Sequence, residues 1–133
     1  MFLKRLDIQG FKSFPQRVRV EFGPGITSVV GPNGSGKTNI VEAIRWVLGE
    51  QNMRHLRGDT LEDVIFTGSA HRKQLGMAEV SLTMVNNRGV LPSEYTEVMI
   101  ARRTFRSGNA PCGAPSRGAT TCCLRQSSGS SAV

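Results

Sequence analysis

Alternation of apolar and polar residues predicts several short strands in the first hundred residues. Residues 3–9 form the first, and Gly10 ends it. Residues 17–22 alternate with a strict period of two before a Gly-Pro-Gly turn signal, which predicts a strand with one face in solvent. Residues 80–84 and 95–105 alternate on either side of the turn sequence at 86–89, and this arrangement predicts an antiparallel hairpin.

Two segments depart from this alternation. Residues 26–30, ITSVV, form a largely apolar, β-branched run, which predicts a strand covered on both faces. Between residues 39 and 49, apolar side chains recur at helical spacing and Gly49 is a suitable stop. These apolar positions are Ile40, Ile44, Val47 and Leu48. We therefore predict an α/β fold with a mixed sheet, antiparallel at its N-terminal and hairpin strands, and one helix packed against it.

Composition changes sharply near residue 108. All ten acidic residues precede this point, whereas residues 109–133 are rich in Gly, Ala, Ser and Cys. Such a segment buries too little apolar surface to offset the entropy of ordering. We predict one domain over residues 1–108 and a low-complexity, disordered tail over residues 109–133.

Neither a membrane segment nor a metal centre is predicted. The N-terminus is charged where a secretion signal would be apolar, and no window approaches about 18 consecutive apolar residues. Cys112, Cys122 and Cys123 lack the spacing of a zinc site and are expected to be free thiols. The two histidines are isolated from other ligand types. We expect a soluble, cytoplasmic protein.

Residues 31–38, GPNGSGKT, fit the pattern G-x-x-x-x-G-K-[ST] at every fixed position. The glycines allow the backbone to wrap closely around a polyphosphate with its N–H groups inward, and the following helix adds a partial positive charge. Lys37 would reach the β- and γ-phosphates, and the Thr38 hydroxyl is placed to bind Mg²⁺. Asn33 and Ser35 either contact phosphate or supply only main-chain donors, while Pro32 stiffens the loop.

This loop indicates a nucleoside triphosphate without specifying which one. A GTPase would carry an Asn-Lys-x-Asp element, and the sequence has none. Four further segments, together with the stretch that contains the loop, identify a more specific class of protein. Residues 1–108 resemble the N-terminal head segment of bacterial SMC chromosome-partition ATPases in the stretches GFKSF (10–14), VGPNGSGKTNIVEAIRWVLGE (30–50), LRG (56–58), EDVIF (62–66) and AEVSL (78–82).

The resemblance implies an ABC-type P-loop ATPase head, of which this chain is the N-terminal lobe, acting in chromosome condensation and segregation. ATP and Mg²⁺ would bind at eight consecutive residues: Pro32, Asn33, Gly34, Ser35, Gly36, Lys37, Thr38 and Asn39. It also implies that Lys12 and Ser13 lie near the nucleotide and that Arg57 links DNA to ATP turnover. The implied partners are DNA, the C-terminal half of the head, a second head and a kleisin-type subunit, on the nucleoid.

Each basic group also has a simpler interpretation. Arg57 follows Arg54 and His55, so this cluster is equally consistent with a solvated loop. Arg102, Arg103 and Arg106 are consistent with a basic strand edge that only prevents aggregation. A third group is expected to form an exposed strand face. Its members are Lys4, Arg5, Arg17 and Arg19. The net charge of +7 is modest and dispersed, so it does not establish DNA binding.

The chain contains no apolar run ending in Asp-Glu, and no signature sequence. Because hydrolysis needs a group that orients water as well as a phosphate cradle, we expect the chain alone to bind ATP weakly and hydrolyse little. The abrupt tail suggests a truncated or frame-shifted reading of a longer gene. Two alternatives remain: a head fragment of a related recombination or DNA-repair ATPase, or a nucleotide-binding module without hydrolysis.

Overall fold

The computed structural model describes residues 1–50, 52–90, 95–106 and 123–126. Within these ranges the chain forms five strands, one α-helix and two short 3₁₀ helices. The strands are β1 (Phe2–Gln9), β2 (Val18–Glu21), β3 (Met77–Val85), β4 (Glu97–Phe105) and β5 (Cys123–Gln126). Helix α1 spans Lys37–Val47, and the 3₁₀ helices span Met53–Leu56 and Leu61–Val64.

The five strands form one sheet in the order β2-β1-β3-β4-β5, and each neighbouring pair is antiparallel. Leu6 on β1 lies opposite Val20 on one side and Leu82 on the other, and Leu82 lies opposite Ile100 on β4. These four side chains therefore form an apolar row on one face. The predicted hairpin and the antiparallel portion of the predicted sheet are confirmed.

Helix α1 covers this apolar face. It contributes Ala43, Trp46 and Val47 to a core that also contains Phe11, whose ring centroid lies 5.4 Å from that of Trp46. The predicted helix is confirmed, but its buried face is rotated from the expected one. Ile40 and Ile44 only flank the core, and Leu48, beyond the last helical residue, is exposed.

The prediction of a doubly covered strand at residues 26–30 is wrong. No strand forms there, and Ile26 and Val30 are 98% and 88% exposed. A strand of this kind needs neighbours on both edges and cover on both faces. None of the described strands pairs with this segment, so its apolar side chains remain in solvent.

Arg102 also departs from its prediction. It lies on β4 but is only 3% exposed, because its side chain extends under the end of α1. Strand β4 is moreover covered along Val98–Ala101 by β5, so the idea of a basic strand edge fails for this residue. Within the predicted tail, residues 123–126 form β5, and the other residues from 109 onward lie outside the described part of the chain.

Helix α1, with 11 residues, is the longest helix in the described ranges, and no helix there could cross a membrane.

Candidate nucleotide-binding site

The glycine-rich loop delivers the chain directly into α1. Gly36 is the N-terminal cap residue, with φ of 94° in the left-handed region. Residues other than glycine rarely adopt this backbone conformation. Among the residues that the structure describes, no side chain caps this end of the helix, and the first turn of the helix contains no acidic residue. The first amides of α1 are therefore left to bind another acceptor, and the helix dipole favours an anion there.

Two residues close the loop on itself. The Lys37 ammonium donates a hydrogen bond to the carbonyl oxygen of Gly31, six residues earlier. The Ser35 hydroxyl donates to the carbonyl oxygen of Pro32 at 2.7 Å. Thr38 lies exposed in the first turn of α1. Three features of this loop fit a polyphosphate accompanied by Mg²⁺. They are the uncapped helix end, the ammonium group of Lys37 and the exposed hydroxyl group of Thr38.

Ser13 lies against this loop, although it is distant in sequence. Its hydroxyl oxygen accepts a hydrogen bond from the Asn39 side-chain amide at 2.8 Å. A Cβ atom added to Gly36 would lie 2.9 Å from the same oxygen. The structure therefore brings together three of the predicted site residues, Ser13, Gly36 and Asn39, at the start of α1.

Lys12 and Arg57 come from other segments and both contact α1 at a second point, away from its first residues. Both bind the carboxylate of Glu42, which is itself only 2% exposed: Lys12 through Oε2 at 2.5 Å and Arg57 through Oε1. The Lys12 ammonium also donates to the carbonyl oxygen of Leu56. Glu42 was not predicted as a site residue from the sequence. It is the only acidic residue in α1 and stands four residues before the buried Trp46, so its position on the inner face was readable from helical spacing.

The backbone at both cations is unusual. Lys12 and Arg57 have φ values of 48° and 49°, the only positive values for non-glycine residues in the described part of the chain. Such conformations cost about 1–3 kcal/mol each and persist where surrounding contacts enforce them. Here both lie in segments held by the same carboxylate.

The opposite face of the sheet carries charged side chains. Asp7, with its carboxylate nearly buried, is bound by Arg5 at 3.0 Å, Arg19 at 2.9 Å and Arg17 at 3.6 Å. The hydrogen bond and charge of Asp7 raise the pKa of Arg19. Arg19 on β2 is exposed as predicted, whereas Arg5 on β1 is only partly exposed and Arg17 lies just before β2. Their common carboxylate was not predicted.

A glycine-rich loop that leads into a helix packed on a sheet is the arrangement found in the P-loop class of proteins. The sequence identifies the family. Residues 2–113 match the model of the RecF/RecN/SMC N terminal domain, and the chain belongs to that family.

Individual relatives agree with this assignment. The chain is 57% identical over 119 residues to the chromosome partition protein Smc of Bacillus subtilis, covering 84% of this chain and 10% of that protein. It is similar to a solved SMC ATPase studied for ATP-driven dimerization and DNA-stimulated activation, with a TM-score of 0.82 and 31% identity over 95% of this chain and 70% of the other. It also resembles an Smc head bound to the C-winged helix domain of ScpA, with a TM-score of 0.77 and 37% identity over 79% and 32% of the two chains.

These likenesses confirm the resemblance and the predicted fold class, an N-terminal fragment of an SMC ATPase head. They do not favour the recombination and repair alternative. The chain spans about a tenth of the length of the curated relatives it matches.

Proposed function

We propose that this chain is the ATP-binding N-terminal part of an SMC chromosome-partition ATPase, acting in chromosome condensation and segregation on the nucleoid in the cytoplasm. The observation that supports this most strongly is the uncapped start of α1 with Lys37 stretched across the loop before it. An uncapped helix start with a cation beside it matches the negative charge of a triphosphate.

Different residues of the loop would contact different parts of the nucleotide. The amides of residues 33–38 would hold the β-phosphate, and Asn33 and Ser35 add main-chain donors. Lys37 would exchange its bond with the Gly31 carbonyl oxygen for the β- and γ-phosphates, a stronger charge-assisted contact. Thr38 would supply one ligand to Mg²⁺, which when bound offsets the charge of the phosphates. Ser13, held by Asn39, would lie beside the nucleotide.

The exposed segment at residues 26–30 supports the proposal that another polypeptide packs against this lobe. Its apolar side chains have no cover within the described residues, and the C-terminal half of the head would supply the missing strands and cover. A second head would then complete the ATP site. Because an Smc head binds ScpA, we include a kleisin-type subunit among the partners, and we include DNA, to which Arg57 would respond.

Isothermal titration of Mg-ATP into this chain, mixed with the C-terminal head half of the Bacillus subtilis relative, tests the proposal. Lys37→Ala should weaken binding by about 10- to 100-fold, because one charge-assisted contact is lost. Lys73→Ala, which removes an exposed lysine far from the loop in sequence, serves as the matched control and should bind normally. Equal binding by the Lys37→Ala variant, or no heat from the unmodified mixture, would contradict nucleotide binding at this loop.

Hydrolysis provides a second measurement. The chain alone should release little phosphate, and the mixture should release more, because the groups that orient water lie in the other half of the head. Tight Mg-ATP binding with no phosphate release by the mixture would instead support a nucleotide-binding module without hydrolysis.

A further inference from the structure

We propose that Glu42 is a positioning residue that couples occupancy of the nucleotide loop to the orientation of Arg57 and Lys12. This inference rests on the proposed function, because it assumes that a nucleotide binds at the start of α1. It assigns a role to a residue outside the P-loop motif. Three observations support it: the location of the Glu42 carboxylate, its two cationic partners, and the positive φ values of those partners.

Glu42 is placed to sense the start of the helix. It follows Thr38 by four residues on α1, and residues at this spacing lie on the same face, one turn apart. Any shift of the first turn on binding phosphate or Mg²⁺ is therefore passed directly to the Glu42 backbone. The side chain is buried, so it cannot absorb such a shift by moving into solvent.

The two partners of Glu42 come from opposite sides of the loop in sequence. Lys12 belongs to the turn after β1, whose backbone amide donates to the Val64 carbonyl oxygen at 2.8 Å. Arg57 immediately follows the 3₁₀ helix Met53–Leu56. One carboxylate thus joins the segment before the loop, the helix after it and the segment beyond that helix. Because Ser13 follows Lys12, the same contact also fixes the hydroxyl that lies against Gly36.

The two cations are held with unequal firmness. The Lys12 side chain is 12% exposed and has a second acceptor in Leu56, whereas the Arg57 side chain is 59% exposed. A buried carboxylate requires compensating charge, and the more exposed of its two partners can move at lower cost. Arg57 is therefore the group whose orientation responds, and its contact with Glu42 holds it in the orientation that favours an occupied loop.

A neutral substitution separates this role from simple packing. In Glu42→Gln the amide oxygen can still accept from Lys12, but the amide N–H₂ group now faces the guanidinium of Arg57 and repels it. The substitution should release Arg57 while preserving the volume of the side chain. Arg57→Ala removes the same contact from the other side, so the two variants should act on one interaction.

The test is a double-mutant cycle on Mg-ATP affinity, in the mixture with the C-terminal head half. We expect Glu42→Gln and Arg57→Ala each to weaken binding by about tenfold, and the double variant to bind no more weakly than the weaker single one. Glu79→Gln is the matched control, since it makes the same chemical change at the exposed Arg103 pair on the other face of the sheet. Normal binding by Glu42→Gln, or effects of the two variants that multiply, would overturn the proposal.

A second measurement needs no substitution of Glu42 and so does not depend on that variant folding. In the unmodified mixture, the NMR signal of the Arg57 Nε–H group should be protected from exchange and should shift on addition of Mg-ATP. The shift should vanish in Lys37→Ala. If the amide signals of residues 34–38 shift on addition of Mg-ATP but the Arg57 signal does not, the coupling is contradicted and nucleotide binding is not. If none of these signals shifts, both the proposed function and the coupling are contradicted.

Discussion

The guanidinium carbon of Arg102 lies 4.9 Å from the centre of the Trp46 ring, and its Nη1 group donates to the Trp46 carbonyl oxygen at 2.6 Å. The same nitrogen donates to the Glu50 carbonyl oxygen at 3.1 Å. A residue of the sheet thus supports both the ring and the backbone at the end of α1. Cations at this end of a helix interact favourably with its dipole, so Arg102 fixes the nucleotide helix to β4.

Arg102→Ala should lower the free energy of unfolding by about 2–4 kcal/mol, because it removes the side-chain donor to the Trp46 and Glu50 carbonyl oxygens and the contact with the Trp46 ring. Arg103→Ala, next along β4, breaks only an exposed pair with Glu79 and should cost under about 1 kcal/mol. Urea unfolding of both variants measures the difference. Equal losses would show that the contacts of Arg102 contribute little.

Gly36→Ala should disrupt nucleotide binding beyond its effect on stability. Both Gly36 and Gly49 have positive φ, at 94° and 105°, so alanine at either should cost about 1 kcal/mol in unfolding free energy. Only at Gly36 would the added Cβ meet Ser13. Titration of Mg-ATP should show weakened affinity for Gly36→Ala and normal affinity for Gly49→Ala. A similar affinity for both variants would mean that the approach of Ser13 to the loop is unimportant.

Asp63 makes the stability depend on pH. Its carboxylate accepts from the Thr60 and Asp59 amides at 2.6 and 2.7 Å, and these bonds lower its pKa. A lowered pKa in the folded state gives stability that is present above the ordinary Asp value of about 3.9 and is lost as pH falls through the folded value. Asp63→Asn should therefore be less stable than the unmodified chain near neutral pH, and the gap should close in acid.

Urea unfolding at a series of pH values measures that gap. A difference that stays constant down to strongly acidic solution would show that the charge of Asp63 plays no part.

Asp7→Asn should destabilise the sheet by about 1–3 kcal/mol, because three arginines lose the charge that they share. Their mutual repulsion is partly screened by salt, so the loss should be larger in low salt. Asp59→Asn, the same chemical change at an exposed carboxylate outside the sheet, provides the control and should change stability little at either ionic strength. Thermal unfolding at two salt concentrations checks both expectations, and a salt-independent loss would argue against charge as the cause.

Polar substitution of the exposed apolar segment should affect assembly rather than folding. Ile26→Ser and Val30→Ser remove side chains that are in solvent, so the unfolding free energy of this chain should change by less than about 0.5 kcal/mol. Binding to the C-terminal head half, measured by titration, should weaken clearly. Unchanged binding would show that residues 26–30 are not covered by that partner.

Much of the fold was predictable because its signals are local. The strand alternation and the turn at 86–89 each depend on neighbouring residues, and both were located correctly. Residues 26–30 were misjudged because an apolar run shows that a segment needs cover, whereas a strand forms only where partner strands are present.

The charged core residues were misjudged for a different reason. Arg102 alternates in phase with Val98 and Ile100 on β4, and Glu42 is in helical phase with Trp46. Their positions in these patterns indicated inward-facing side chains, but their residue types suggested solvent. Burial of such groups depends on partners from distant segments, as Arg57 is for Glu42, and these pairings are not visible in a local pattern.

The partial charge of the helix dipole is compensated by a side chain at one end of α1 but not at the other. A guanidinium group offsets the partial negative charge at its last turn, while glycine leaves the partial positive charge at its first turn without a capping side chain among the described residues. The helix therefore presents an unbalanced electrostatic field directed out of the loop. An anionic molecule that arrives there completes the charge distribution of the fold itself, so ligand binding and resistance of this lobe to unfolding should rise together.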